Sequence, residues 1–205
     1  MQWKGKVEMD LVEPIKRLAQ KATGIGLPDR QAAMACVREC RPSQMHDDGY
    51  IPNNPKFPLL YYQKALRFGR GQDPAGVLEQ VFTAHGWGLA WRNGIYDFVH
   101  YHSMIHEVLG VARGTATLRL GGNKGRTVKV SAGDVIFIPA GVGHECLKAS
   151  KPFLVVGAYP PQGTYNECRG SFQEREKALA MIRRVKVPKQ HPIYGSRQSL
   201  WQLPQ

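Results

Sequence analysis

Cysteine is scarce in this sequence: four of 205 residues, at positions 36, 40, 146 and 168. Only Cys36 and Cys40 stand close together, and no second pair follows, so neither a zinc ribbon nor a disulfide framework is encoded. Long apolar runs are missing too. No stretch approaches the ~20 residues that a spanning helix needs, which argues against a membrane. Met1 to Asp10 mixes charges without an apolar centre and reads as no secretory leader. With thiols expected to be reduced, the sequence predicts a cytoplasmic protein. It contains no internal repeat and no low-complexity tract. Acidic residues are few, 16 Asp and Glu against 28 Lys and Arg, for a net charge of +12. Such a balance can serve nucleic acid or acidic small molecules. A basic run with interleaved aromatics is absent, however. The nearest approach is Arg183, Arg184, Lys186 and Lys189, broken by apolar residues. Residues 1–45 carry no DNA-reading motif. The expectation is scattered surface charge and no nucleic-acid partner.

What is present is a helical beginning followed by a β-rich body. Leu11, Ile15, Leu18 and Ala22 recur at steps of three and four, and a second helical run is read from Arg30 to Glu39. Residues 42–56 are rich in Pro, Asp, Asn and Gly and read as loop. The expected division is a helical N-terminal extension over 1–45 and a main domain over 46–205. Leu59 to Leu66 reads as a strand. Asp73 and Pro74 form a cap and first position for a helix running to about His85. From Gly94 onward short strands dominate: Ile95–His102, Val108–Leu120, Thr127–Val130, Val135–Ile138, Glu145–Lys148 and Phe153–Tyr159. Turn residues separate them, as in a sandwich or closed barrel. Ser171 and Glu174 form a capping box for a last helix, Phe172 to Arg183.

The chemistry concentrates between positions 100 and 144. His100 and His102 are two apart, so on a strand they share one face. Tyr96 and Phe98 have the same parity, which makes that face inward and partly apolar. Glu107 follows after a short connection and can begin the neighbouring strand, facing the same interior. His144 follows the turn Pro139-Ala140-Gly141 and can reach the same point. Three imidazoles and a carboxylate suit one divalent ion: Fe, Mn, Ni, Co or Zn. A closed structural zinc site would be richer in sulfur. His106, beside Glu107, has the opposite parity and reads as a hairpin histidine, with a supporting role or a place as substitute ligand as the alternatives. Trp87, Trp91, Tyr96, Phe98 and Tyr159 either line a pocket or pack the core. Arg92 and Arg113 either meet an anionic substrate or lie on the surface.

These residues also form two recognisable patterns. Gly94-x5-His100-x-His102-x4-Glu107-x6-Gly114 resembles the first cupin motif, and Gly133-x5-Pro139-x-Gly141-x2-His144 resembles the second. The second motif often ends in Asn where this chain has Lys148. Further segments are similar to the YjlB-like single-domain cupins: Pro52-Asn53-Asn54-Pro55-Lys56-Phe57-Pro58, Trp91-Arg92-Asn93-Gly94-Ile95-Tyr96-Asp97-Phe98, and Val155-Val156-Gly157-Ala158-Tyr159-Pro160. The resemblance implies an all-β jelly-roll barrel with His100, His102, Glu107 and His144 on one metal ion. It also implies a homodimer. A small-molecule metalloenzyme follows, with a dioxygenase-like oxidoreductase favoured and an isomerase or lyase as alternatives. A non-catalytic module binding a small ligand or metal uses the same residues. No catalytic base is identified, because Glu107 is engaged by the metal.

Overall fold

A computed structural model describes residues 39–195. The helical runs expected before Glu39 lie outside the described residues. Nine strands and two helices follow in the order β1 (Glu39–Ser43), β2 (Leu59–Gln63), α1 (Pro74–Ala84), β3 (Gly88–Asn93), β4 (Glu107–Arg113), β5 (Thr115–Leu120), β6 (Arg126–Ser131), β7 (Val135–Ile138), β8 (His144–Ala149), β9 (Leu154–Tyr159) and α2 (Phe172–Ile182). They form a six-stranded sheet, β1-β2-β7-β4-β9-β3, and a three-stranded sheet, β6-β5-β8. Every strand pairing is antiparallel.

Period-two alternation sorts the side chains into two layers. Leu59 and Tyr61 of β2, Leu109 and Val111 of β4, and Ile136 and Ile138 of β7 face inward. There they meet Ala116, Leu118, Leu120, Val128 and Val130 of the smaller sheet. Their neighbours Leu60, Tyr62, Val108, Val135, Phe137 and Val156 face outward. That outer face is covered by Val77, Leu78, Val81 and Phe82 of α1. Asp73 caps α1, its carboxylate accepting from Ala75 N at 3.2 Å. Each buried Leu, Val or Phe contributes roughly 1.5–3 kcal/mol by leaving water, so both layers hold the large sheet in place. This two-sheet jelly roll is the all-β architecture the strand pattern predicts.

Several boundaries differ from the sequence reading. The stretch read as one strand from Val108 to Leu120 is two, β4 and β5. Gly114 breaks it with φ +76°, and a Cβ there would meet the Pro152 carbonyl at 2.2 Å. The segment Ile95–His102 forms no strand; its pairings are single bridges, His100 with His144 and Tyr101 with Cys168. A strand appears just before it instead, Gly88–Asn93. Its register shifts between Gly88 and Trp91, and Leu89 sits at φ +51°, so its apolar residues do not alternate. Residues Glu39 to Ser43, read within a helical extension, form β1 on the edge of the large sheet against β2. Strand β2 stops at Gln63 because Lys64 takes φ +52°. The expected capping box of α2 is present. No described helix is long and apolar enough to cross a membrane.

Candidate metal centre

Glu107 opens β4 with the parity of Leu109 and Val111, so its carboxylate enters the space between the sheets and is 2% exposed. His144 opens β8, the edge of the smaller sheet. Residues 96–100 run beside that edge: Tyr96 O accepts from Cys146 N, and His100 and His144 exchange both backbone bonds. His100 and His102 thus reach the same space from a connecting segment rather than from a regular strand. All four side chains are buried.

The turn before His144 is held by the Pro52-Asn53-Asn54-Pro55 segment. Asn53 Oδ1 accepts from Gly143 N at 3.3 Å, and its Nδ2 donates to Gly121 O at 3.0 Å. Asn54 Nδ2 donates to Ala140 O at 2.8 Å. Two buried amides therefore bond the backbone that aims His144.

The ring nitrogens decide what the histidines can do. Nδ1 of His100 faces Phe98 O at 3.3 Å, Nδ1 of His102 faces Asn166 O at 2.5 Å, and Nδ1 of His144 faces Val142 O at 3.3 Å. A carbonyl only accepts, so each Nδ1 carries the proton and each Nε2 keeps a lone pair. One ligand atom from each of the three rings lies within 4.8 Å of the others. Glu107 Oε2 stands 3.4 Å from His102 Nε2 and 3.2 Å from His144 Nε2, yet forms no well-aligned hydrogen bond. Two lone pairs and a carboxylate oxygen at that separation repel unless a positive charge lies among them. A proton or a metal ion meets that need, and the mixed N/O donors fit a divalent transition metal.

Electrostatics follow the same geometry. Burial and the neighbouring His144 push His100 down to about 3. Burial also opposes charge on His102, but the Glu107 carboxylate outweighs it and the net shift is upward. Burial resists ionisation of Glu107; the two imidazoles overcome this and hold it far below the usual carboxylate range. The Tyr159 hydroxyl is pushed up by burial and by Glu107, toward which it is directed. Trp91 Nε1 donates to that hydroxyl at 3.1 Å. A Cβ on Gly157 would lie 2.1 Å from the Trp91 ring, so only glycine admits the indole here.

A cavity of about 290 Å³ opens over the four residues, walled by Trp91, Ile95, Tyr96, Leu109, Tyr159 and Tyr165. Tyr96 stacks on Phe98 at 4.7 Å and meets the His100 ring edge-on at 5.0 Å, so these aromatics adjoin the site without a shared strand. Arg92 also lines the cavity, but Glu79 holds it with two bonds of 2.6 Å and Asp73 adds a third at 3.1 Å. Arg113 and Trp87 do not line it. Trp87 packs in the outer layer against Phe137. Lys148 is exposed at the far end of β8. His106 points the other way: its Nδ1 accepts from Ala140 N at 3.0 Å and its ring packs on Phe137.

Two contributors lacked any sequence signal. Tyr165 lies 4.9 Å from the His102 ring. Asn166 fixes His102 through its carbonyl and ties Ser103 N and Met104 N to its side chain at 3.1 Å each. Both belong to an aperiodic loop far along the chain.

Jelly-roll sheets closing over a cluster of three histidines and a glutamate define a cupin. A profile described as the cupin domain matches residues 94–156. The uncharacterized protein YjlB of Bacillus subtilis (strain 168) is 40% identical over 166 residues, covering 81% of this chain and 97% of that protein. The chain belongs to the cupin family, among the YjlB-like proteins. Among solved structures, oxalate decarboxylase of Bacillus subtilis, described with Mn(II) centres, matches at 18% identity and a TM-score of 0.31. That match covers 55% of this chain and 22% of the decarboxylase chain. Acireductone dioxygenase of Bacillus anthracis, with a cadmium ion in its active centre, matches at 16% identity and a TM-score of 0.32. It covers 42% of this chain and 59% of that one.

Proposed function

We propose that this cupin is a metal-dependent enzyme acting on a small molecule, with one divalent ion on His100, His102, Glu107 and His144. The observation that carries this reading is the shared tautomer: three buried Nε2 lone pairs converge beside a carboxylate oxygen that has no hydrogen bond of its own. Bound there, an iron, manganese, nickel, cobalt or zinc ion would supply Lewis acidity and, if redox-active, an electron relay.

The remaining residues bear on the reaction class. Isomerisation that moves a proton from carbon generally needs a positioned base. Among the described residues lining the cavity, the titratable groups outside the proposed ligands are Arg92, Tyr96, Tyr159 and Tyr165. Arg92 cannot accept a proton, and Tyr159 is turned to Glu107. Tyr96 and Tyr165 are then the candidates for that base in an isomerase or lyase, and a dioxygenase-like oxidoreductase, which needs none, is the favoured reading. The aromatic walls bind and orient a flat organic substrate and exclude water. Tyr159, steadied by Trp91, holds the Glu107 carboxylate in place. A homodimer, on family resemblance, and a cytoplasmic setting, on cysteines that are scarce and, among the described residues, unpaired, complete the reading. A non-catalytic binding module is the second reading, since the same four side chains serve storage or ligand capture.

Metal content measured by elemental mass spectrometry on anaerobically prepared protein tests the proposal, beside the His100→Ala/His102→Ala double variant. Near-stoichiometric metal lost in the variant supports it, and oxygen uptake with phenolic substrates then separates enzyme from binding module. A parent that takes up no metal even on reconstitution rejects it.

A further inference from the structure

A second recess lies away from the metal centre, where the end of α2 meets the loop after β1. It has a volume of about 280 Å³, and four of its lining residues are cations: Lys56, Arg183, Arg184 and Lys186. No acidic residue lines it. The other walls are largely apolar, among them Pro55, Phe57, Ile182 and Val185. None of the four cations forms an ion pair with a described residue. Elsewhere four described arginines are matched by a carboxylate, Arg92 by Glu79, Arg119 by Glu145, Arg169 by Glu167 and Arg175 by Asp47, and Arg126 donates to Ser43 Oγ. What sets the recess apart is four cations on one concavity with no acidic residue in its lining. Arg183 also borders a neighbouring recess that contains Asp47, but that carboxylate is taken by Arg175 and by Gly49 N.

Four unmatched like charges around one small recess repel one another, and an anion relieves that repulsion. The carbonyl end of α2 favours Arg183 and Arg184, which follow its last turn. It gives no reason for Lys56, which comes from the distant loop where Asn54 Oδ1 fixes the backbone of Lys56 and Phe57 at 3.0 and 2.8 Å. We infer that this recess binds an organic phosphate monoester, its dianion on the two guanidiniums and two ammoniums and its body on Phe57, Ile182 and Val185. Guanidinium matches phosphate through paired N–H donors. The basic residues singled out in the sequence as Arg183, Arg184, Lys186 and Lys189 are thus divided: three line the recess and Lys189 does not.

Calorimetric titration of the intact protein with phenyl phosphate, and separately with inorganic phosphate, tests this at near-physiological salt. Expected are saturable one-to-one binding, phenyl phosphate at least threefold tighter than inorganic phosphate, and a loss of at least tenfold in Arg183→Gln/Arg184→Gln. Lys56→Gln also weakens binding severalfold, while Lys189→Gln and the remote Lys129→Gln/Lys151→Gln do not. Circular dichroism confirms that each variant is folded. No saturable binding overturns the inference. So does equal weakening by the remote pair, which would mean net charge alone, or weakening by Lys189→Gln but not Lys56→Gln, which would mean a linear basic tail. Equal affinity for the two phosphates removes the apolar half of the site.

Discussion

Two groups of buried histidines occupy opposite faces of the same sheet, and they hold their protons on opposite nitrogens. Between the sheets, His100, His102 and His144 each give Nδ1–H to a carbonyl, which leaves Nε2 open toward the cavity. On the outer side, His106 Nδ1 accepts from Ala140 N–H. His191 Nδ1 accepts from Ile193 N–H at 3.0 Å and Tyr194 N–H at 3.2 Å. Their protons must sit on Nε2, and that of His191 goes to the Tyr62 hydroxyl at 2.7 Å. Burial and residue type are the same in both groups. The backbone partner of one nitrogen decides whether the other is offered to a ligand or spent on the fold.

The contrast breaks most sharply under truncation. His102→Ala should lower metal affinity by more than about 100-fold, beyond what loss of a supporting hydrogen bond costs, with folding retained; competition against a chelator reads this. His191→Ala should do the reverse. It strands two amides and a buried hydroxyl, costing about 2–4 kcal/mol of stability in urea unfolding, with metal stoichiometry unchanged. If His191→Ala empties the metal site, the two groups are not separate.

Acid sharpens the same comparison. Burial, helped by the nearby His85, holds His191 down at about 3 in the fold, against about 6.5 when unfolded. The unfolded chain therefore binds the extra proton first, and stability falls as pH drops below about 6.5 and continues to fall toward the folded value. The slope for one such group is about 1.4 kcal/mol per pH unit, so roughly 2 kcal/mol is gone by about pH 5. His191→Gln should flatten that part of the urea-midpoint curve. The smallest effect belongs to the support of Glu107: Trp91→Phe removes one indole N–H and should weaken metal binding by about 10-fold while leaving stability nearly unchanged.

Much of this was legible in the chain, for reasons that particular residues make plain. Glu107 lies on a true strand, so period two carried its direction, and the Gly141 turn delivered His144 as its spacing implied. The placement of His100 and His102 also came out together, but through a different cause. Parity assumed a strand, whereas bridges to His144 and Cys168 hold a connecting segment. Strand β3 was invisible because its bulge destroys alternation. The tautomers were invisible because they depend on carbonyls: one from Asn166, far along the chain, and two from residues two positions before their histidines, which any backbone supplies. The neutralisation of Arg92 likewise required α1 to be folded beside β3.

The single bridges that hold residues 95–106 have a kinetic meaning. Within that span, His100 N and Tyr101 N donate to other backbone segments, and Ser103 N and Met104 N donate to one asparagine side chain. The carbonyls of the span accept as well, Tyr96 O from Cys146 N, His100 O from His144 N, Tyr101 O from Cys168 N and His102 O from Gly141 N. Opening this wall, which carries two of the four proposed ligands, therefore breaks these bonds but none of the pairings inside either sheet. Amide hydrogen exchange there should run far faster than in β4 or β7, through local opening rather than global unfolding. Ions and organic molecules would then enter and leave on the timescale of a hinge, in a barrel whose lifetime is set elsewhere.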